Sequence, residues 1–165
     1  MASNVDFFLK LESPNVLGES MDSTHQGEID VLSWSWGESQ TGTMFQGGGG
    51  GVGKINMQDF HFTMYVNKAM PTLMQYCASG QQISKGTLTC RKAGTDTPQE
   101  YLKIYFTELL VSSYQTGGSG GGTLPVDSIS LNYSSIQFEY KEQNPDGSVG
   151  NPVKAGWNLK LNKKM

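Results

Sequence analysis

The chain has 165 residues, a net charge of −3, 16% charged and 36% hydrophobic residues. Its 3 Trp, 7 Tyr and 7 Phe exclude disorder as the main state, and the acidic balance disfavours a nucleic-acid binder. The length suits one domain over 1–165, and no run approaches the roughly 18 apolar residues of a membrane span.

Val5, Phe7, Leu9 and Leu11 alternate with Asp6, Phe8, Lys10 and Glu12, which predicts a first strand buried mainly on one face. Residues 1–11 carry Asp6 and no basic start before an apolar run, so they do not read as a cleaved signal. A polar stretch, 13–26, follows. From Glu28 the pattern runs Ile29, Val31 and then changes phase to Leu32, Trp34, Trp36, which predicts a bulge or bend. Beyond that point Ser33 and Ser35 share the face opposite Trp34 and Trp36.

Residues 37–54 read as a long loop, and 115–125 as a second. Eleven of the 21 glycines lie in two short runs inside these loops, 47–53 and 117–122. Phe60, Phe62, Met64 and Val66 mark the next strand. Three- and four-residue spacing of Ala69, Leu73, Met74, Tyr76 and Cys77, with Pro71 early and Gly80 after, predicts one helix over 68–79. Strands are then expected over 87–91, 100–113, 126–133, 136–140 and 153–161, with a break at Ser134-Ser135 and a turn at 144–147. About eight strands and one helix give a mainly β fold: two sheets forming a barrel or sandwich, with the helix packed on its side. The expected core includes Trp34, Trp36, Phe60, Phe62, Leu73 and Trp157. Cys77 and Cys90 are too few for a disulfide framework and read as small buried hydrophobes.

Two motif matches fail on context. Residues 48–54 read G-x-x-x-x-G-K, but Ile55 replaces the Ser or Thr that would hold magnesium, and a strand follows in place of a helix. Residues 117–121 read G-x-S-x-G around Ser119, again leading into a strand where the nucleophile elbow needs a helix. His25, His61, Cys77 and Cys90 show no metal-ligand spacing. No cofactor and no metal are expected, and no residue is singled out for catalysis. What is left is surface: long flexible loops and strand edges suited to contacts with other chains.

The block from His25 to Gly37, HQGEIDVLSWSWG, resembles the signature of the haemolysin-coregulated protein (Hcp) family, the tube protein of bacterial type VI secretion systems. Residues 53–63, 88–94, 110–114 and 152–158 resemble further blocks of that family in the same order. The resemblance covers about 5–160. It implies a phage tail-tube-like fold with no enzymatic activity. It implies self-assembly into homohexameric rings that stack as a tube inside a contractile sheath, behind a spike-tip protein. It also implies that the protein is itself secreted, and that its rings can carry small effectors in the lumen. Localisation would be cytoplasmic before firing and extracellular after it, without membrane insertion or nucleic-acid partners.

Within that frame Ser33 and Ser35 are candidates for the lumen and its cargo. Gln40, Thr43, Met44, Phe45, Gln46, Gly48, Gly50 and Lys54, on the 37–54 arm, are candidates for contact with an adjacent protomer or ring. Glycines there would allow close backbone approach. The rival expectation is a monomeric β-sandwich that binds a ligand such as carbohydrate on exposed Trp34, Trp36 and Trp157.

Overall fold

The computed structural model describes residues 5–42, 52–92 and 98–165, with backbone only for 52–54. The strands are β1 (Val5–Glu12), β2 (Ile29–Val31), β3 (Ser33–Ser35), β4 (Glu38–Gly42), β5 (Val52–Met57) and β6 (Phe60–Tyr65). After the helix α1 (Met70–Ser79) come β7 (Ile83–Lys92), β8 (Gln99–Gly117), β9 (Val126–Asn132), β10 (Ser135–Gln143), β11 (Val149–Asn158) and β12 (Lys163–Lys164).

All pairings are antiparallel. A first sheet runs β12-β11-β10-β8-β7-β1-β2, and a second runs β3-β6-β9-β8. β4 and β5 pair apart from both. The first half of β8 lies between β7 and β10, and its second half pairs with β9. The two sheets therefore share one strand, and no closed ring of pairing forms among the described residues.

The chain changes sheet at three places, and each has a local cause. Between β2 and β3, the backbone N–H of Leu32 already donates to Thr63 O at 2.8 Å, and the Leu32 side chain is exposed. This is the phase change expected at Val31/Leu32. In β8 the change falls at Glu108, a non-glycine residue at φ 52°. Between β9 and β10, Ser134 donates its N–H to Thr107 O at 3.0 Å, so the second and third changes are tied together.

Alternation of apolar and polar residues decides what each sheet buries. Leu9, Ile29, Leu88, Ile104 and Phe106 fill the inner side of the first sheet, and Phe60, Phe62, Met64, Ile129 and Leu131 that of the second. Phe60 lies where they meet, with its ring 4.9 Å from Phe106 and 6.1 Å from Trp34. The helix presents Leu73 to this core and packs against β8. Gly80, at φ 72°, ends it by donating its N–H to Tyr76 O at 3.0 Å.

Four expectations need correction. Among the described residues twelve strands form where about eight are expected. The ends of the 37–54 loop are β4 and β5, a backbone ladder whose β4 side chains are all exposed. The 115–125 loop loses 115–117 to β8, because that strand keeps pairing with β9 beyond its apolar residues. Cys90 is buried as expected, whereas Cys77 is only half-buried on the helix.

Candidate functional site

The outer face of the second sheet is the most distinctive surface of the described residues. The residues between its buried Phe, Met, Ile and Leu positions point the other way, and cross-strand register lines them up. One row reads Ser33, Thr63, Ser128, Gln115, and the next reads Ser35, His61, Ser130, Ser113. These eight side chains contain hydroxyls, one amide and one imidazole, with no Lys, Arg, Asp or Glu. They line a shallow concavity of about 360 Å³.

Hydrogen bonds knit the rows together. Ser33 Oγ and Thr63 Oγ1 share a bond at 2.6 Å. Ser113 Oγ donates to Ser130 Oγ at 2.6 Å, and Ser130 Oγ lies 2.7 Å from His61 Nδ1. On the opposite, core-facing side of the same strands Tyr114 donates its hydroxyl to the fully buried Asp127 at 2.8 Å. Burial, followed by the adjacent Asp127 carboxylate, pushes the Tyr114 phenol up to about 12. A wall of this kind offers many weak donors and acceptors and little net charge. It suits loose, reversible contact with polar uncharged surface.

Sequence reasoning found Ser33 and Ser35 on this wall and missed His61, Thr63, Ser113, Gln115, Ser128 and Ser130. The missing signal was available. Ser128 and Ser130 flank Ile129, and His61 and Thr63 flank Phe62, the same alternation that singled out Ser33 and Ser35 around Trp34.

The other candidates are dispersed. Gln40 is exposed on β4 opposite Ile55. Lys54 lies on β5, described by its backbone alone, and Thr43, Met44, Phe45, Gln46, Gly48 and Gly50 fall outside the described residues. At the base of this arm, Ile55 and Met57 join Trp36, Phe138, Ala155 and Trp157 around an open groove of about 940 Å³.

Of the expected core, Phe60, Phe62 and Leu73 are fully buried. Trp34, Trp36 and Trp157 are half-buried, a correction: Trp34 stands on the edge strand β3, and Trp36 and Trp157 line the groove. Trp34 stands edge-on to Phe7 at 6.2 Å, and Trp36 donates its indole N–H to Tyr133 at 2.5 Å. Rings engaged in this way are poor free platforms for stacking a sugar. Among the described residues no group of three or more His, Cys, Asp or Glu is placed to hold a metal ion, and no helix is long and apolar enough to cross a membrane.

Residues 8–140 match the family described as type VI secretion system effector, Hcp. The chain is 50% identical over 159 residues to protein hcp1 of Pseudomonas aeruginosa, covering 96% of this chain and 97% of that one. A solved structure of a type six secretion system protein matches with a TM-score of 0.90 at 32% identity, over 97% of this chain and 99% of that one. Hcp1 from Salmonella typhimurium matches with a TM-score of 0.80 at 35% identity, over 99% and 100%.

Proposed function

The chain belongs to the Hcp family of type VI secretion proteins, secreted structural components with a β-rich fold, and from that premise we propose that it is a tube subunit. Six copies close into a ring, rings stack into the inner tube within the contractile sheath, and the tube is expelled with its spike tip. The protein resides in the bacterial cytoplasm before firing and outside the producing cell afterwards. The whole chain acts as one such unit.

The observation that carries the cargo reading is the uncharged hydroxyl wall of β3, β6, β9 and β8. The outer face of the first sheet differs in kind: Lys103, Glu139 and Lys154 stand in cross-strand register there. Charged side chains would hold a passing protein at fixed points, whereas a neutral wall lets it slide. We assign the wall to the lumen and Ser33 and Ser35 to cargo contact. The 37–54 arm, with Gln40 and Lys54 on its paired segments, makes the contact between copies. Support comes from the apolar groove at its base, where docking of a second copy would cover Trp36, Met57 and Trp157.

Ring closure places one surface of each subunit against a different surface of the next. With Ser35→Gln, rings keep their mass while retention of a co-expressed small effector falls. Loss of ring mass in that variant would move Ser35 from the lumen to an interface.

A further inference from the structure

The His25 and Glu28 of the signature block take no part in the wall. They belong to a strap, residues 13–28, that folds back over the outer face of the first sheet. Gly18 donates its N–H to Gly27 O at 2.9 Å, Gly27 to Ser20 O at 2.9 Å, and Ser20 to Glu28 O at 3.1 Å. Gly18 runs so close to the chain that an added Cβ would lie 2.5 Å from Glu28 O. The strap covers Phe8, which is buried although it points away from the core. On one side of Phe8 the His25 ring stacks at 4.3 Å and 7°, and the Arg91 guanidinium lies 4.9 Å from the ring centre.

Backbone bonds from Ser84 to Ser13 and from Val16 to Leu11 fix the start of the strap, and two side-chain anchors that differ in kind hold its end, residues 22–28. Arg91 grips Asp22 with two hydrogen bonds of 2.6 and 3.1 Å, touches Thr24 Oγ1 at 3.4 Å and reaches Asp6 at 3.0 Å. Both partners stay charged at any ordinary pH, since Arg91 holds the Asp22 carboxyl well below the usual range. The second anchor is His25. Its Nδ1 lies 2.8 Å from Glu28 Oε2 and its Nε2 lies 2.7 Å from Glu100 Oε1.

A neutral imidazole carries one N–H. In this position it would leave a nitrogen lone pair against a carboxylate oxygen, in a site where the ring is 9% exposed. Only the imidazolium satisfies both contacts. The surroundings agree: Glu28 and Asp22 from the strap, Glu100 from β8, Asp6 from β1 and Asp30 from β2 are acidic. They outnumber Lys103 on β8, which is paired with Glu100 at 3.2 Å, and Arg91 on β7.

We propose that the strap is a proton-dependent latch: doubly protonated His25 clamps residues 25–28 to Glu100 on β8, and loss of its proton frees that segment while Arg91 keeps the end at Asp22 and Thr24 attached. The closed strap is therefore the low-pH form and opens as pH rises. Histidine is the side chain suited to such a role, because it exchanges its proton within the physiological range.

The test is hydrogen exchange by mass spectrometry on the full chain, corrected for the intrinsic effect of pH on exchange. It is paired with NMR of histidines labelled at Cε1. The chain has only 2 histidines, so an His61→Asn variant assigns the signals. Between about pH 6 and about pH 9, protection over 25–28 should fall about tenfold, the weight of one charge-assisted hydrogen bond. The fall should track the His25 signal, while peptides from β1 and β7 stay protected. His25→Gln should show the low protection at every pH. Protection over 25–28 that stays constant while the His25 signal shifts in the wild-type chain would overturn the latch, whether or not the variant folds. So would a His25 ring carrying a single proton at about pH 6 with the strap closed.

Discussion

Phe60→Ala removes the side chain at the junction of the two sheets. Phe60 is fully buried, and its ring meets Phe106 at 4.9 Å, Trp34 at 6.1 Å and Phe62 at 6.2 Å. Each of these neighbours sits on a paired strand, so none is free to fill the space. The loss should lie in the range of about 3–5 kcal/mol measured for buried Phe→Ala changes. For a chain of this length each kcal/mol moves Tm by roughly 2–4 °C, which gives roughly 6–20 °C. Urea unfolding at fixed protomer concentration is the assay, because association makes apparent stability depend on concentration. Phe60→Leu keeps most of the volume and should lose less than about 1.5 kcal/mol. The pair Phe60→Ala and Phe106→Ala should couple by about 0.5–1.5 kcal/mol, the extra share of an aromatic contact. A loss below about 1 kcal/mol for Phe60→Ala, or additive behaviour with Phe106→Ala, would refute the reading of Phe60 as the joint between sheets.

Trp34→Ala should be milder, about 3 kcal/mol, at the low end of the large-to-small range because the ring is half-buried; an unchanged melting curve would place Trp34 at the surface. Acid should destabilise the fold. Asp22, through its hydrogen bonds from Arg91, is held low; at Glu100 burial works upward, but the His25 and Lys103 contacts outweigh it. Carboxyls depressed in the folded state stabilise it above their ordinary values near about 4, and that share is lost as pH falls. Asp30, raised by burial and then by Asp6, works in the opposite sense. Urea midpoints against pH should therefore drop on the acid side, and Asp22→Asn should flatten the drop. Burial pushes the Cys90 thiol up to about 12, so native protein at about pH 8 should leave Cys90 unmodified by iodoacetamide, as mass spectrometry of the peptide would read. Labelling of Cys90 ahead of Cys77 would contradict its burial.

Much of the fold was legible in the residues, for physical reasons that can be named. Apolar alternation reports a face buried against a core, and β1, β6 and the helix all have one. The phase change at Val31/Leu32 reported a strand leaving one sheet for the other, and Ser134-Ser135 reported a second crossing. β4 was invisible because Glu38, Ser39, Gln40 and Thr41 bury nothing: they are held by backbone hydrogen bonds, to which side-chain pattern is blind. The end of β8 was hidden for the same reason, at Gln115, Thr116 and Gly117. On the wall, Ser33 and Ser35 stood out because tryptophans frame them, while their partners are joined only by register between β3, β6, β9 and β8. The strap anchors are farther still from sequence reasoning, since His25 and Glu100 are 75 positions apart.

The tube reading is tested most directly by the mass of the purified chain in solution, by light scattering, with negative-stain images of the same peak. A species of six chains of 18.0 kDa, about 108 kDa, seen as open rings, is the expected result. Six chains of −3 place about −18 on each ring, so stacking of rings should strengthen as salt is raised. A monodisperse 18.0 kDa species at micromolar concentration, with no rings on the grid, would contradict spontaneous ring assembly and favour a monomeric binding module.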